Sequence, residues 1–138
     1  MQNGLKNLLL GLDETALVEL PALQCRVHGD LVSPLLALQQ RAEKVGFELR
    51  VASSYRSFER QLLIWNNKAQ GLRPVLDSAC IPLDISALSE RELVFAILRW
   101  SALPGASRHH WGTDIDVYDG ARMPPYYQLQ LTVAETEG

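Results

Sequence analysis

The run Ser107-Arg108-His109-His110-Trp111-Gly112-Thr113-Asp114-Ile115-Asp116-Val117 limits what this chain can become more than any other stretch. It sets a histidine and a carboxylate seven residues apart with a glycine between them. From Thr113 polar and apolar residues alternate. That pattern predicts a short strand with Asp114 and Asp116 on one face and Ile115 and Val117 turned to a core. His109 falls just before a turn at Gly112, within reach of whatever Asp116 binds. Neutral imidazole and carboxylate are both ordinary zinc ligands, at about 2.0 to 2.2 Å. The run therefore reads as half of a zinc site.

The rest of the chain supplies elements that could carry such a site. Ser33 and Pro34 read as the N-cap and first residue of a helix, with Leu35, Leu38, Ala42 and Val45 at helical spacing and Gly46 as its stop. Residues 47–53 alternate as a strand with Leu49 and Val51 on one face, delivering Tyr55 and Arg56 at its C-terminal end. A second helix is expected with Phe58, Leu62, Trp65 and Ala69 on one face, ending near Gly71 and placing Gln61 close to Arg56. Residues 72–88 have no sustained period and read as a long connection bordering a cleft. Ser89 and Glu92 form a capping-box pattern ahead of Leu93, Ala96, Ile97 and Trp100, with Pro104-Gly105 as the end. Beyond the metal run, Tyr118-Asp119-Gly120 reads as a turn, Met123-Pro124-Pro125 as a rigid linker and residues 127–133 as an amphipathic segment. This order predicts an α+β domain, a small antiparallel sheet packed with about three helices.

Written S-x-H-x-x-G-x-x-x-D, the stretch Ser107–Asp116 resembles the signature of the VanY-type D-alanyl-D-alanine carboxypeptidases, a group of zinc peptidases. Asp114 stands where those enzymes usually have alanine. Upstream, Ser53-Ser54-Tyr55-Arg56-Ser57-Phe58-Glu59-Arg60-Gln61 resembles their S-G-Y-R-S-x-x-x-Q segment, and the likeness covers roughly residues 30 to 135. It implies zinc held by His109 and Asp116 and a peptide substrate ending in D-Ala. It further implies Arg56 polarising the scissile carbonyl, with Gln61 and Ser107 lining the pocket around the terminal D-alanine; Tyr55 is a further substrate-binding candidate, and Trp111 could wall the pocket. The family's downstream E-x-x-W-H element, which brings the general base and third ligand, has no counterpart here. The histidines are His28, His109 and His110 alone. The expectation is a single peptidase-like domain over 1–138, incomplete at its C-terminus, with residues 1–29 as an N-terminal extension. It is either a fragment or a natural truncation, and by itself binds zinc weakly and hydrolyses little or nothing. Two alternatives stand beside this: an inactive peptide-binding module, and a peptidoglycan endopeptidase on the same scaffold.

Other roles remain open for single residues. Asp114 is either a partner that fixes the tautomer of a ligating histidine or a solvated carboxylate. Arg56 could instead cap a helix or pair with Glu59, although its fork of donors suits a carboxylate or oxyanion. His28 and His110 read as structural, and Trp65 and Trp100 as core. Cys25 and Cys80 belong to no C-x-x-C pair and read as buried thiols, or as a disulfide in an oxidising compartment.

Net charge of −3 and the lack of a Lys/Arg-rich run argue against a nucleic-acid partner. No stretch approaches the roughly 20 apolar residues of a membrane span. The N-terminus, with only Leu8-Leu9-Leu10 before Asp13, lacks a signal-peptide core. The sequence by itself suggests the cytoplasm, whereas the resemblance implies the periplasm or the cell exterior.

Overall fold

Two antiparallel strand pairs organise the chain, and the second joins residues some seventy positions apart. The structure is a computed structural model, and residues 2–129 are described. The elements are α1 (Gln2–Leu9), β1 (Leu17–Leu20), β2 (Cys25–His28), α2 (Val32–Lys44), β3 (Leu49–Ser53), α3 (Phe58–Ala69), α4 (Glu90–Leu98) and β4 (Asp116–Asp119). This is an α+β fold with two small antiparallel sheets and four helices among the described residues, one helix more than the sequence suggested. No helix among them is long and apolar enough to cross a membrane.

β1 and β2 form a hairpin in register from Leu17↔His28 to Leu20↔Cys25, closed by a 3-10 turn at Pro21–Leu23. Gln24 closes that turn in the left-handed region at φ 52°. The hairpin supplies Leu20, Leu23, Cys25 and Val27 to a buried cluster completed by Leu35 of α2. Leu49, Val51 and Ile115 pack against the same cluster. Much of the segment expected as an N-terminal extension is therefore core material under the site's strands.

α2 starts at Val32, one residue before the expected cap, because a 3-10 turn at Gly29–Leu31 runs straight into it. His28 caps that turn, its Nδ1 accepting from the Asp30 N–H at 3.2 Å. Ser33 consequently lies inside the helix and caps nothing. The buried stripe is Val32, Leu35 and Leu36, while Leu38 and Val45 face solvent. The expected stripe was rotated because the helix starts earlier and meets the core through its first turn.

Ser57 caps α3 by accepting from the Arg60 N–H at 3.1 Å. Its buried face runs through Gln61, Ile64, Trp65 and Lys68, and Leu62 is exposed. A polar side chain at a core position was invisible to a search for apolar periodicity. α4 has the expected capping box and buries Ile97, although it ends at Leu98, well before Pro104. Trp100 donates its indole N–H to the Leu76 carbonyl at 3.0 Å, pinning the long connection to the helix.

β3 and β4 pair from Leu49↔Asp119 to Val51↔Val117 and then Ser53↔Asp116, so Ala52 is an extra residue in a bulge. Bulges re-aim the strand beyond them, and this one sits where β3 delivers Ser53 to the site. β4 begins at Asp116 rather than Thr113, and Val117 is 39% exposed rather than core-facing. Tyr118 and Asp119 belong to this strand, and the chain turns only at Gly120. Of the expected amphipathic segment, residues 127–129 adopt no regular element and 130–133 lie outside the described residues.

Candidate active site

The two motifs meet through their backbones. Arg56 donates its N–H to the His109 carbonyl at 3.0 Å, and the His110 imidazole Nδ1–H donates to the Arg56 carbonyl at 2.6 Å. His109 Nδ1 lies 3.1 Å from the Ser54 carbonyl and 2.9 Å from the Asp114 carbonyl. Loop 54–57 and the 3-10 turn Arg108–Trp111 are thereby stitched into one unit. His110 is fully buried, and its Nε2 accepts from the Gly105 N–H at 3.0 Å. Both of its ring nitrogens are committed to the scaffold, as a structural reading of His110 requires.

Two carbonyls at Nδ1 of His109 can only accept, so that nitrogen carries a proton, and in the neutral ring the lone pair is on Nε2. Nε2 faces Asp116 Oδ2 at 3.3 Å, with side chains 15% and 27% exposed. The neutral imidazole and the carboxylate thus aim two acceptors at each other, an arrangement that needs a cation or a proton between them. Two tetrahedral zinc ligands at about 2.0 to 2.1 Å stand about 3.3 Å apart, so the pair fits zinc. Among the described residues no group of three or more His, Cys, Asp or Glu side chains gathers into a metal site.

The Asp114 carboxylate does not serve the histidine. It pairs with Arg108 Nε at 3.3 Å near the surface, and it is the Asp114 backbone carbonyl that meets His109. The expectation of two aspartates on one strand face fails because residues 113–115 are not in the strand. Their carbonyls, free of ladder pairing, can turn toward the imidazole.

Arg56 donates from Nη1 to Gln61 Oε1 at 2.9 Å and from Nη2 to Ser53 Oγ at 2.8 Å. Gln61, fully buried, passes its own Nε2–H to the Ala102 carbonyl at 2.7 Å. Neither capping nor pairing with Glu59 explains this arginine. Its partners are neutral, and it has no carboxylate within ion-pair distance among the described residues. Burial pulls its pKa down, the Asp116 charge opposes that, and Arg60 and Arg73 add to it. A held guanidinium with donors to spare suits an incoming carboxylate or oxyanion.

The remaining candidates are tied more to the frame. Ser107, buried, caps the Arg108–Trp111 turn by accepting from the His109 N–H at 3.3 Å. Tyr55 donates its hydroxyl to the Gly11 carbonyl at 3.1 Å under the Arg26 guanidinium, and burial first, then the Glu14 charge, pushes its phenol up to about 12. Trp111 donates its indole N–H to the Leu9 carbonyl at 3.2 Å, beside α1. Residues 9–11 thus brace the Arg108–Trp111 turn and the 54–57 loop from behind, a role for which the N-terminal sequence carries no motif. Ser53 also went unremarked as a partner of Arg56, although it lies within the recognised segment. Cys25 is buried and Cys80 half-exposed, both free thiols.

With this geometry in view, the comparisons define the class. The family model for D-alanyl-D-alanine carboxypeptidases, VanY, matches residues 24–138, and the chain belongs to that family. An uncharacterized protein of Haemophilus influenzae is 46% identical over 99 residues, covering 70% of this chain and 68% of its own. A mutant of the vancomycin-resistance D,D-pentapeptidase VanY from a VanB-type resistance cassette, solved in complex with Zn(II), is similar at 25% identity and TM-score 0.57. That likeness covers 77% of this chain and 53% of that one. VanYB in complex with D-alanine-D-alanine shares the fold at TM-score 0.59 and 22% identity, over 87% of this chain and 56% of that one. The chain spans about half the length of these solved structures.

Proposed function

We propose that this chain carries the substrate-binding and metal-binding half of a zinc-dependent peptidase of the D-alanyl-D-alanine carboxypeptidase type, acting on peptidoglycan stem peptides. The observation that carries the reading is the His109 Nε2–Asp116 Oδ2 approach at 3.3 Å, with Nδ1 locked by two carbonyls. The Zn(II) and D-alanine-D-alanine bound to the two solved relatives support it. When bound, zinc supplies Lewis-acid polarisation and water activation at neutral pH. His109 and Asp116 hold it. Arg56 binds the substrate carbonyl oxygen and stabilises the negative charge that develops there, which removes the reorganisation water would need. Gln61 and Ser53 keep the guanidinium in its bound orientation, and Ser107 holds the turn that positions His109.

The described residues provide two of the three protein donors usual for catalytic zinc, so activity is to be measured with zinc in excess. The test is D-alanine release from a peptide ending in D-Ala-D-Ala, with wild type and Arg56→Met. Zinc-dependent peptide binding, with or without release, that the variant lacks supports the peptidase. Because Gln61 and Ser53, rather than a metal ligand, hold the Arg56 guanidinium, a second reading is a peptide-binding module, and metal-independent binding without release would favour it. No binding and no release would remove both readings.

A further inference from the structure

Lys68 is the unexplained member of the buried face of α3. It lies seven residues beyond Gln61, two helical turns along the same face. Its ammonium donates to Ser101 Oγ at 2.8 Å, while Gln61 donates to the carbonyl of the next residue, Ala102, at 2.7 Å. One two-residue segment therefore holds Lys68 and the amide that steadies Arg56, so the two cations flank a common seam. The chain folds back over the end of α3 as the Leu72 and Arg73 N–H groups both donate to the Asn67 carbonyl, at 2.8 and 3.0 Å. Arg73, itself exposed, is thereby turned back near enough for its charge to act on Lys68.

None of Arg56, Arg60, Lys68 and Arg73 has a carboxylate within ion-pair distance among the described residues. The cations instead repel one another. Burial first, then Arg73 and Arg56, lowers the pKa of Lys68, just as burial lowers that of Arg56. A half-buried ammonium with one neutral acceptor is a poor choice for stability alone, since a methionine would fill the space without the desolvation cost. An ammonium has three donors and Ser101 takes one. Such an arrangement suits an anion.

We propose that Lys68 and Arg73 form a second anion-binding subsite beside Arg56, which takes a side-chain carboxylate of the peptide substrate and selects acidic peptides over neutral ones. The proposal rests on the peptide-directed reading of the site. It adds to that reading a preference for one kind of peptide and two residues that impose it.

The experiment is calorimetric titration of the full chain, with zinc present, against two peptides ending in D-Ala-D-Ala that differ only in one upstream residue, acid or amide. Wild type is expected to bind the acidic peptide about tenfold more tightly. In Lys68→Met and Arg73→Gln the ratio falls toward one while affinity for the amide peptide holds, and Lys68→Arg restores the ratio. Thermal unfolding of Lys68→Met at or above the wild-type temperature accords with a residue retained for binding. Equal affinities in wild type, or a ratio that survives Lys68→Met, overturn the subsite and leave the peptide-directed reading intact. Failure of wild type to bind either peptide overturns both.

Discussion

Gly112 lies between the two acceptors of the site, and its replacement by alanine tests how tightly the turn is specified. Its φ is +71°, where an L-residue costs about 1 to 2 kcal/mol. A Cβ there would lie 2.6 Å from Leu17 Cδ2 and 2.8 Å from the His28 backbone nitrogen. The leucine tip can yield, but the nitrogen is fixed because it donates to the Gly112 carbonyl at 2.8 Å. Overpacking of this kind costs about 1 to 3 kcal/mol, and reduced freedom of the unfolded chain returns about 0.4 to 1. The net loss expected is about 2 to 4 kcal/mol, which for a domain of this size lowers the melting temperature by about 6 to 14 °C. Gly46 is the control, with φ +86° and nothing within 4 Å of an added Cβ. Gly46→Ala should cost only about 1 kcal/mol. Calorimetric melting of both variants decides the matter. If Gly112→Ala melts with Gly46→Ala, the close approach of the turn to His28 is not a constraint and the account of the motif glycine is wrong.

Two further outcomes follow from the site. The phenol of Tyr55 is raised from 10.0 to about 12 by burial, so folding favours its protonated form. That contribution is complete below pH 10 and is lost as pH rises from 10 to about 12. Denaturant melts across that window should show stability falling more steeply in wild type than in Tyr55→Phe, and parallel curves would refute it. Asp114→Asn keeps the backbone carbonyl that meets His109 and removes only a surface pair with Arg108, worth about 0 to 1 kcal/mol. Zinc affinity should change by less than about threefold, and a loss comparable to that of Asp116→Asn would restore the carboxylate to the histidine.

The site was far more legible in the sequence than the frame beneath it. Helical position put Gln61 near Arg56 and the Gly112 turn put His109 near Asp116, while the family resemblance joined the two pairs; in the structure Ser57 and Ser107 cap the helix and the turn that hold Gln61 and His109. The hairpin at residues 17–28 went unread since Pro21 and a left-handed Gln24 disguise its turn, yet it furnishes most of the main buried cluster. Leu38, Val45 and Leu62 were assigned inward by helical spacing and point outward. In each helix the true face is set by the partner it packs against, and on α3 that face carries Gln61 and Lys68, which hydrophobic periodicity counts as surface. Of the two readings of Asp114, the structure has the one nearer solvent, its carboxylate paired with Arg108. Alternation predicted a strand, but residues 113–115 stay outside the ladder and present a carbonyl where the other reading put a carboxylate.

The central claim is that His109 and Asp116 are aimed at one cation, and a long-range proton–nitrogen correlation spectrum of the His109 ring, with and without zinc, tests it most directly. The account predicts that Nδ1 keeps its proton, bonded to the Ser54 and Asp114 carbonyls, while the Nε2 resonance moves on adding zinc and fails to move in Asp116→Ala. A His109 spectrum unchanged by excess zinc, or one that changes equally without Asp116, contradicts it.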